Sequence, residues 1–148
     1  MRDFQRSAVY EWENTCIHPY DNTFIPFEQI SSLVQYVWHA EGLAYPPSIT
    51  YLPPQTRKCE GKADRLEVKF SKTNQTRSSV VLHELAHSLT NEYVNDIVVS
   101  DYHGPKFVGI LMQLFDRYMR FELSYLRNTA NRFKIQYDLE AKPFKVID

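Results

Sequence analysis

The chain has 148 residues, 43% of them hydrophobic and 14% aromatic, the size and composition of one domain that buries its own core, and this excludes a disordered chain. Its formal net charge of −1 gives the molecule as a whole no pull toward nucleic acid or an anionic membrane. No apolar run approaches the roughly 18 residues of a membrane span, the charged and polar start lacks the apolar segment of a secretory leader, and Cys16 and Cys59, in no paired motif, fit free thiols in a reducing cytoplasm.

From Pro26 to Glu41, Phe27, Ile30, Leu33, Val34, Val37 and Trp38 recur at three- and four-residue spacing, which predicts a helix with one buried face, started by Pro26 and ended by Gly42. Ser48 to Leu52, β-prone between two Pro pairs, reads as a strand. After a polar turn around Gly61, Leu66, Val68 and Phe70 alternate with Glu67 and Lys69, the period of a half-buried strand. Ser71 to Ser79 reads as a loop ending near a helix start without a full capping box.

Val80 to Thr90 is expected to be a helix running through the core, with Val81, Leu82, Leu85, Ala86 and Leu89 buried. Asn91 to Asp101 is a mixed acidic stretch. Gly104-Pro105 opens another helix that continues to about Phe121, a further helix is expected over Glu122 to Arg132, and Ile135 to Leu139 reads as a last short strand. No repeat or low-complexity segment is present. The expected fold is α+β, one domain over residues 1–148, with a small, mostly antiparallel sheet from about 48–52 and 64–70 packed on the 26–41 and 80–90 helices.

The chemistry concentrates in His83-Glu84-Leu85-Ala86-His87, an HExxH motif in a helical, apolar context. Two histidines four positions apart share one helix face, so both imidazoles can reach one Zn²⁺ at about 2.0–2.1 Å. Glu84 then lies beside a metal-bound water whose pKa zinc lowers toward about 7, and its carboxylate is placed to move the proton to a leaving amine. A chance match on an ordinary core helix is the competing reading; against it, each unpaired buried polar group costs about 1–3 kcal/mol, and a purely structural helix has no use for three of them.

A catalytic zinc usually has three protein ligands and one open position. Tyr93 stands where the longer metzincin pattern needs histidine. His103, just before Gly104-Pro105, is the preferred third ligand, with Glu92, Asp96 and Asp101 as rivals and a helix-capping surface role as its bland alternative. His18 and His39 are expected to be surface or locally hydrogen-bonded residues, and Cys59 lacks the context of a deformylase-type ligand. Tyr93 or Tyr102 is a candidate donor to an oxyanion.

Residues 80–90, Val-Val-Leu-His83-Glu84-Leu-Ala-His87-Ser-Leu-Thr, and then His103-Gly104-Pro105-Lys106-Phe107, resemble the SprT-like (Spartan-type) zincins and related short phage and bacterial predicted metallopeptidases, a resemblance covering roughly residues 78 to 120. It implies a zincin-like fold, zinc ligation by His83, His87 and His103, Glu84 as catalytic base, a protein or peptide substrate, and Leu66 to Phe70 as an edge strand pairing with extended substrate. Members of that family acting on DNA-bound proteins often add a C-terminal cysteine zinc ribbon, whereas here no cysteine follows Cys59. Residues 57–77 carry seven basic and three acidic side chains and offer a phosphate-contacting surface; the solvated face of an edge strand is the simpler reading. A zinc-binding module without turnover and a zinc amidase acting on a non-protein amide are the alternative functions.

Overall fold

The computed structural model describes residues 3–53, 61–63, 67–72, 74–94 and 97–143. The architecture is α+β. Helix α1 (Arg6–Trp12) runs into a π turn over Glu13–Ile17 and a 3₁₀ turn over His18–Tyr20. Strand β1 (Phe24–Ile25), helix α2 (Phe27–Ala40) and strands β2 (Ser48–Tyr51), β3 (Gly61–Ala63), β4 (Glu67–Phe70) and β5 (Thr76–Arg77) lead into helix α3 (Ser78–Thr90). A hairpin of β6 (Glu92–Val94) and β7 (Ile97–Val99) then precedes helices α4 (Pro105–Met119) and α5 (Leu123–Arg132).

The four predicted helices lie within a few residues of expectation because their apolar periodicity is satisfied by burial, as with Ile30, Val34, Val37 and Trp38 on α2 and Val81, Leu82, Leu85, Ala86 and Leu89 on α3. Helix α3 packs chiefly on α4, so it is covered on nearly every side, as its all-round apolar composition requires. Gly42, at φ +77°, supplies the left-handed residue just past α2.

The sheet departs from expectation. Strands β2 and β4 pair in parallel, with Ile49 opposite Val68 and Tyr51 opposite Phe70, while β3 pairs antiparallel with β4 on its other side, in the order β2-β4-β3. The chain reverses between β2 and β3 and again between β3 and β4, and two reversals return β4 to the direction of β2. Glu67–Phe70 is therefore central, not an edge; β3, hidden in what reads as a polar turn around Gly61, takes one edge. The predicted alternation on β4 holds, with Val68 and Phe70 buried and Glu67 paired with Lys69 at 3.4 Å on the other face. Leu66 lies outside the described residues.

Residues 135–139 do not form a strand. Ile135 is buried, and its N–H goes to the Ala130 carbonyl; Asp138 donates to the Pro105 carbonyl at 2.9 Å. The segment lies against α4 so closely that a Cβ on Gly109 would stand 1.7 Å from the Asp138 carbonyl oxygen, and a helix offers no ladder to pair with.

The N-terminal twenty residues, to which periodicity assigned nothing, are part of the core. Val9, Trp12, Cys16 and Ile17 are buried, Cys16 as a free thiol, and the Trp12 indole donates to Thr129 Oγ1 at 2.8 Å. The Tyr125 hydroxyl donates to the Cys16 carbonyl at 2.8 Å, so α5 clamps this segment in place. No described helix is long and apolar enough to cross a membrane.

Candidate metal centre

Helix α3 begins without a cap from its own flank; the cap comes from Asp21, 58 residues earlier in sequence. Its buried carboxylate accepts the Ser79 N–H at 2.8 Å and the Ser78 hydroxyl at 3.0 Å. Pairing of β1 with β5, Phe24 opposite Arg77, holds the two segments in register. A carboxylate at this end satisfies orphan amides and the positive end of the helix dipole together. The cap therefore fixes the depth of the helix on which His83, Glu84 and His87 are carried.

His83 and His87, one turn apart, have ring centroids 5.0 Å apart. His103 arrives from the loop before α4, 4.8 Å from His87 and 5.4 Å from His83 between centroids. One ligand nitrogen from each of the three lies within 4.8 Å of the others. Ligation at about 2.0–2.1 Å in tetrahedral geometry spaces nitrogens roughly 3.4 Å apart, so small side-chain rotations converge this set on one ion. The three histidines are thus close enough to bind a metal ion.

Asp101 is not a rival ligand but the cap of α4: its Oδ2 accepts the Phe107 N–H at 2.9 Å and its carbonyl accepts the Gly104 N–H at 2.9 Å. A Cβ on Gly104 would stand 2.8 Å from Asp101 Oδ1, which explains glycine beside the ligand. With the cap supplied by Asp101, His103 is released from the surface capping role and is buried. Side chains of Glu92, Tyr93 and Asp96, and all of Cys59, lie outside the described residues.

Two carboxylates absent from the sequence expectation hold two of the three imidazoles. Glu13 Oε2 lies 2.8 Å from His83 Nδ1, and Asp3 Oδ2 lies 2.7 Å from His103 Nδ1. A carboxylate accepts, so each Nδ1 is the donor; in the neutral imidazole Nε2 is then left with the lone pair, whereas protonated His83 carries an N–H there instead. Both Nε2 atoms are buried and have no hydrogen-bond partner. Buried polar atoms left unpaired in this way cost about 1–3 kcal/mol each, and a cation bound by the neutral imidazoles would remove that cost. The residues present fit a metal.

The rings are also packed from two sides. Phe107, fully buried, stacks on His87 with centroids 4.2 Å apart and meets the edges of His83 and His103, both at 5.1 Å. Tyr10, 39% exposed, stacks on His83 at 5.6 Å and leans on His103 at 5.0 Å. Tyr10 and Glu13 stand three residues apart on one face where α1 enters its π turn, which brings both toward α3.

Electrostatics follow from burial. Burial pulls His83 downward, but Glu13, by charge and hydrogen bond, together with Glu84 overcomes it and pushes the imidazole up to about 9. Glu84 is pushed up to about 7 by burial, with His83 opposing and Glu13 assisting. Burial, then the charges of His83 and His103, holds His87 well below its ordinary value. His103 is also lowered by burial, against the Asp3 hydrogen bond. A carboxyl poised near neutrality beside three imidazoles is suited to accepting and returning a proton.

The other singled-out groups are placed as follows. His18 is neither a surface group nor locally bonded: its Nδ1 lies 2.7 Å from Ser79 Oγ across 61 residues, and its Nε2 lies 4.0 Å from Glu13. His39 is exposed in the last turn of α2. Tyr102 sits at φ 54° and is 39% exposed. In the basic segment, Arg77 is committed to the His18 and Asp21 carbonyls, at 2.8 and 3.2 Å, and Lys72 covers the Tyr51 ring. Much of the rest of 57–77 lies outside the described residues. No protein-family model matches the chain, and no curated protein or solved structure matches it either.

Proposed function

We propose that this chain is a zinc-dependent hydrolase cleaving peptide bonds, zincin-like in fold and akin to the SprT-like family whose motif it resembles. The observation that carries the reading is the pairing of three imidazoles, with ligand atoms within 4.8 Å of one another, with a buried carboxylate on the residue after the first of them. Imidazole is a good zinc ligand, and three of them are the protein ligand number typical of catalytic zinc sites. His83, His87 and His103 would hold the ion, which when bound would supply Lewis acidity and lower the pKa of a coordinated water to about 7.

Glu84, buried on the residue after His83, would take the proton from the attacking water and return it to the leaving amine. Strand β3, packed against α3 and paired on one side with β4, is the edge on which an extended peptide adds as a further strand. Tyr10 stands against His83 and His103, in reach of whatever approaches them.

The test is Glu84→Gln. The variant is expected to retain one zinc per chain while hydrolysis of a denatured protein substrate falls by about 100-fold or more; turnover at the wild-type rate would contradict the mechanism.

A further inference from the structure

His83 and His87 are fixed by a buried, capped helix, but His103 stands on the loop before α4, next to Tyr102 in the left-handed region. Its position depends on what holds that loop. One hold is the Asp101 cap. The other is the N-terminal segment, which grips His103 twice: Asp3 Oδ2 on Nδ1 at 2.7 Å, and Gln5 Nε2 donating to the His103 carbonyl at 2.9 Å. Gln5 is itself anchored on Gln136, accepting its N–H at 2.6 Å and donating to its carbonyl at 3.1 Å. Gln136 belongs to the extended segment lying along α4, so residue 5 bridges the ligand loop and that segment.

We propose that Asp3 and Gln5 are positioning residues forming an N-terminal latch that commits His103 as third ligand, so that metal retention depends on docking of this segment. The inference rests on the metal reading given above. The two outer carboxylates differ in kind. Glu13 is buried inside the π turn, whereas the Asp3 side chain keeps 18% of its surface exposed, three residues ahead of α1, and is the one that local opening releases. With the latch undone, the His103 imidazole regains rotation about its side-chain torsions and loses the carboxylate that fixes its tautomer and raises its basicity. Removing such an outer-shell partner typically weakens metal binding by about 10–100-fold. The latch is local: Asp3 and Gln5 bury no core side chain, so undoing it leaves α3 and its two ligands in place.

The experiment is zinc transfer from the zinc-loaded full chain to an excess of chromophoric chelator, comparing wild type with Asp3→Asn, Asp3→Glu, Gln5→Ala and His103→Ala. Asp3→Asn and Gln5→Ala are expected to release zinc about 10-fold faster, Asp3→Glu to move back toward the wild type, and His103→Ala to mark the limit of a lost ligand. Visible absorption of the Co²⁺-loaded proteins reads the ligand geometry itself, and Asp3→Asn is expected to shift toward the His103→Ala spectrum; thermal melting of the metal-free forms checks folding. Wild-type release rates with unchanged Co²⁺ spectra in both latch variants would overturn the latch and leave the metal reading standing. A wild type that binds no zinc after reconstitution would overturn the functional reading, and the latch with it.

Discussion

Raising the pH on the metal-free protein should loosen its fold and tighten its grip on zinc. His83 is raised from 6.5 to about 9 in the folded chain by Glu13 and Glu84 acting against burial. Its protonated form therefore stabilises the fold: the contribution is complete below pH 6.5 and is lost as pH rises through about 9, a change of about 3 kcal/mol from the size of the shift. Glu84, raised from 4.5 to about 7 by burial, acts in the same sense at lower pH. A metal needs the neutral imidazole, so zinc affinity should climb by about tenfold per pH unit between 7 and 9 and flatten above. Urea unfolding with chelator present and zinc competition titrations, both at pH 6.5, 7.5 and 8.5, measure the two limbs, and Glu13→Gln should flatten them. Metal-free stability that holds or rises over this range, with affinity independent of pH, would refute the electrostatic account of the site.

Asp21→Ala removes the distant cap of α3 and should cost about 1–2 kcal/mol in denaturant unfolding, with Asp21→Asn milder because an amide oxygen still accepts the Ser79 N–H. Gly109→Ala drives a methyl into the Asp138 carbonyl, so about 1–3 kcal/mol of stability should be lost, with hydrogen exchange quickening over residues 135–141. Phe107→Leu should leave a cavity beneath all three imidazoles, seen as weaker zinc binding in competition titrations together with a loss of about 1 kcal/mol or more in unfolding of the metal-free protein.

The helices and the juxtaposition of His83 and His87 could be read from the sequence because both follow from local periodicity: an apolar stripe at three and four residues, and two imidazoles one turn apart. His103 could be read from its place before Gly104-Pro105, although its separation from Asp101 required the cap geometry. Strand order could not be read, since whether β2 and β4 run parallel depends on where the short β3 inserts, and three residues around Gly61 carry no period. Asp3 and Glu13 were invisible for a related reason. They act through pairs separated by 100 and 70 residues, and nothing in a charged N-terminal stretch marks a carboxylate as serving a histidine so distant. The spacing of Val9, Trp12, Cys16 and Ile17 was the available signal that this stretch is a core helix, with Tyr10 and Glu13 displayed on the turn beside it.

Metal content by elemental analysis, on wild type and His103→Ala purified side by side without added zinc, decides whether the three imidazoles form a metal centre. About one zinc per wild-type chain is expected, with a clear deficit in the variant. Wild-type protein without zinc, even after reconstitution, would mean that the three convergent imidazoles are not a metal centre and would contradict the account.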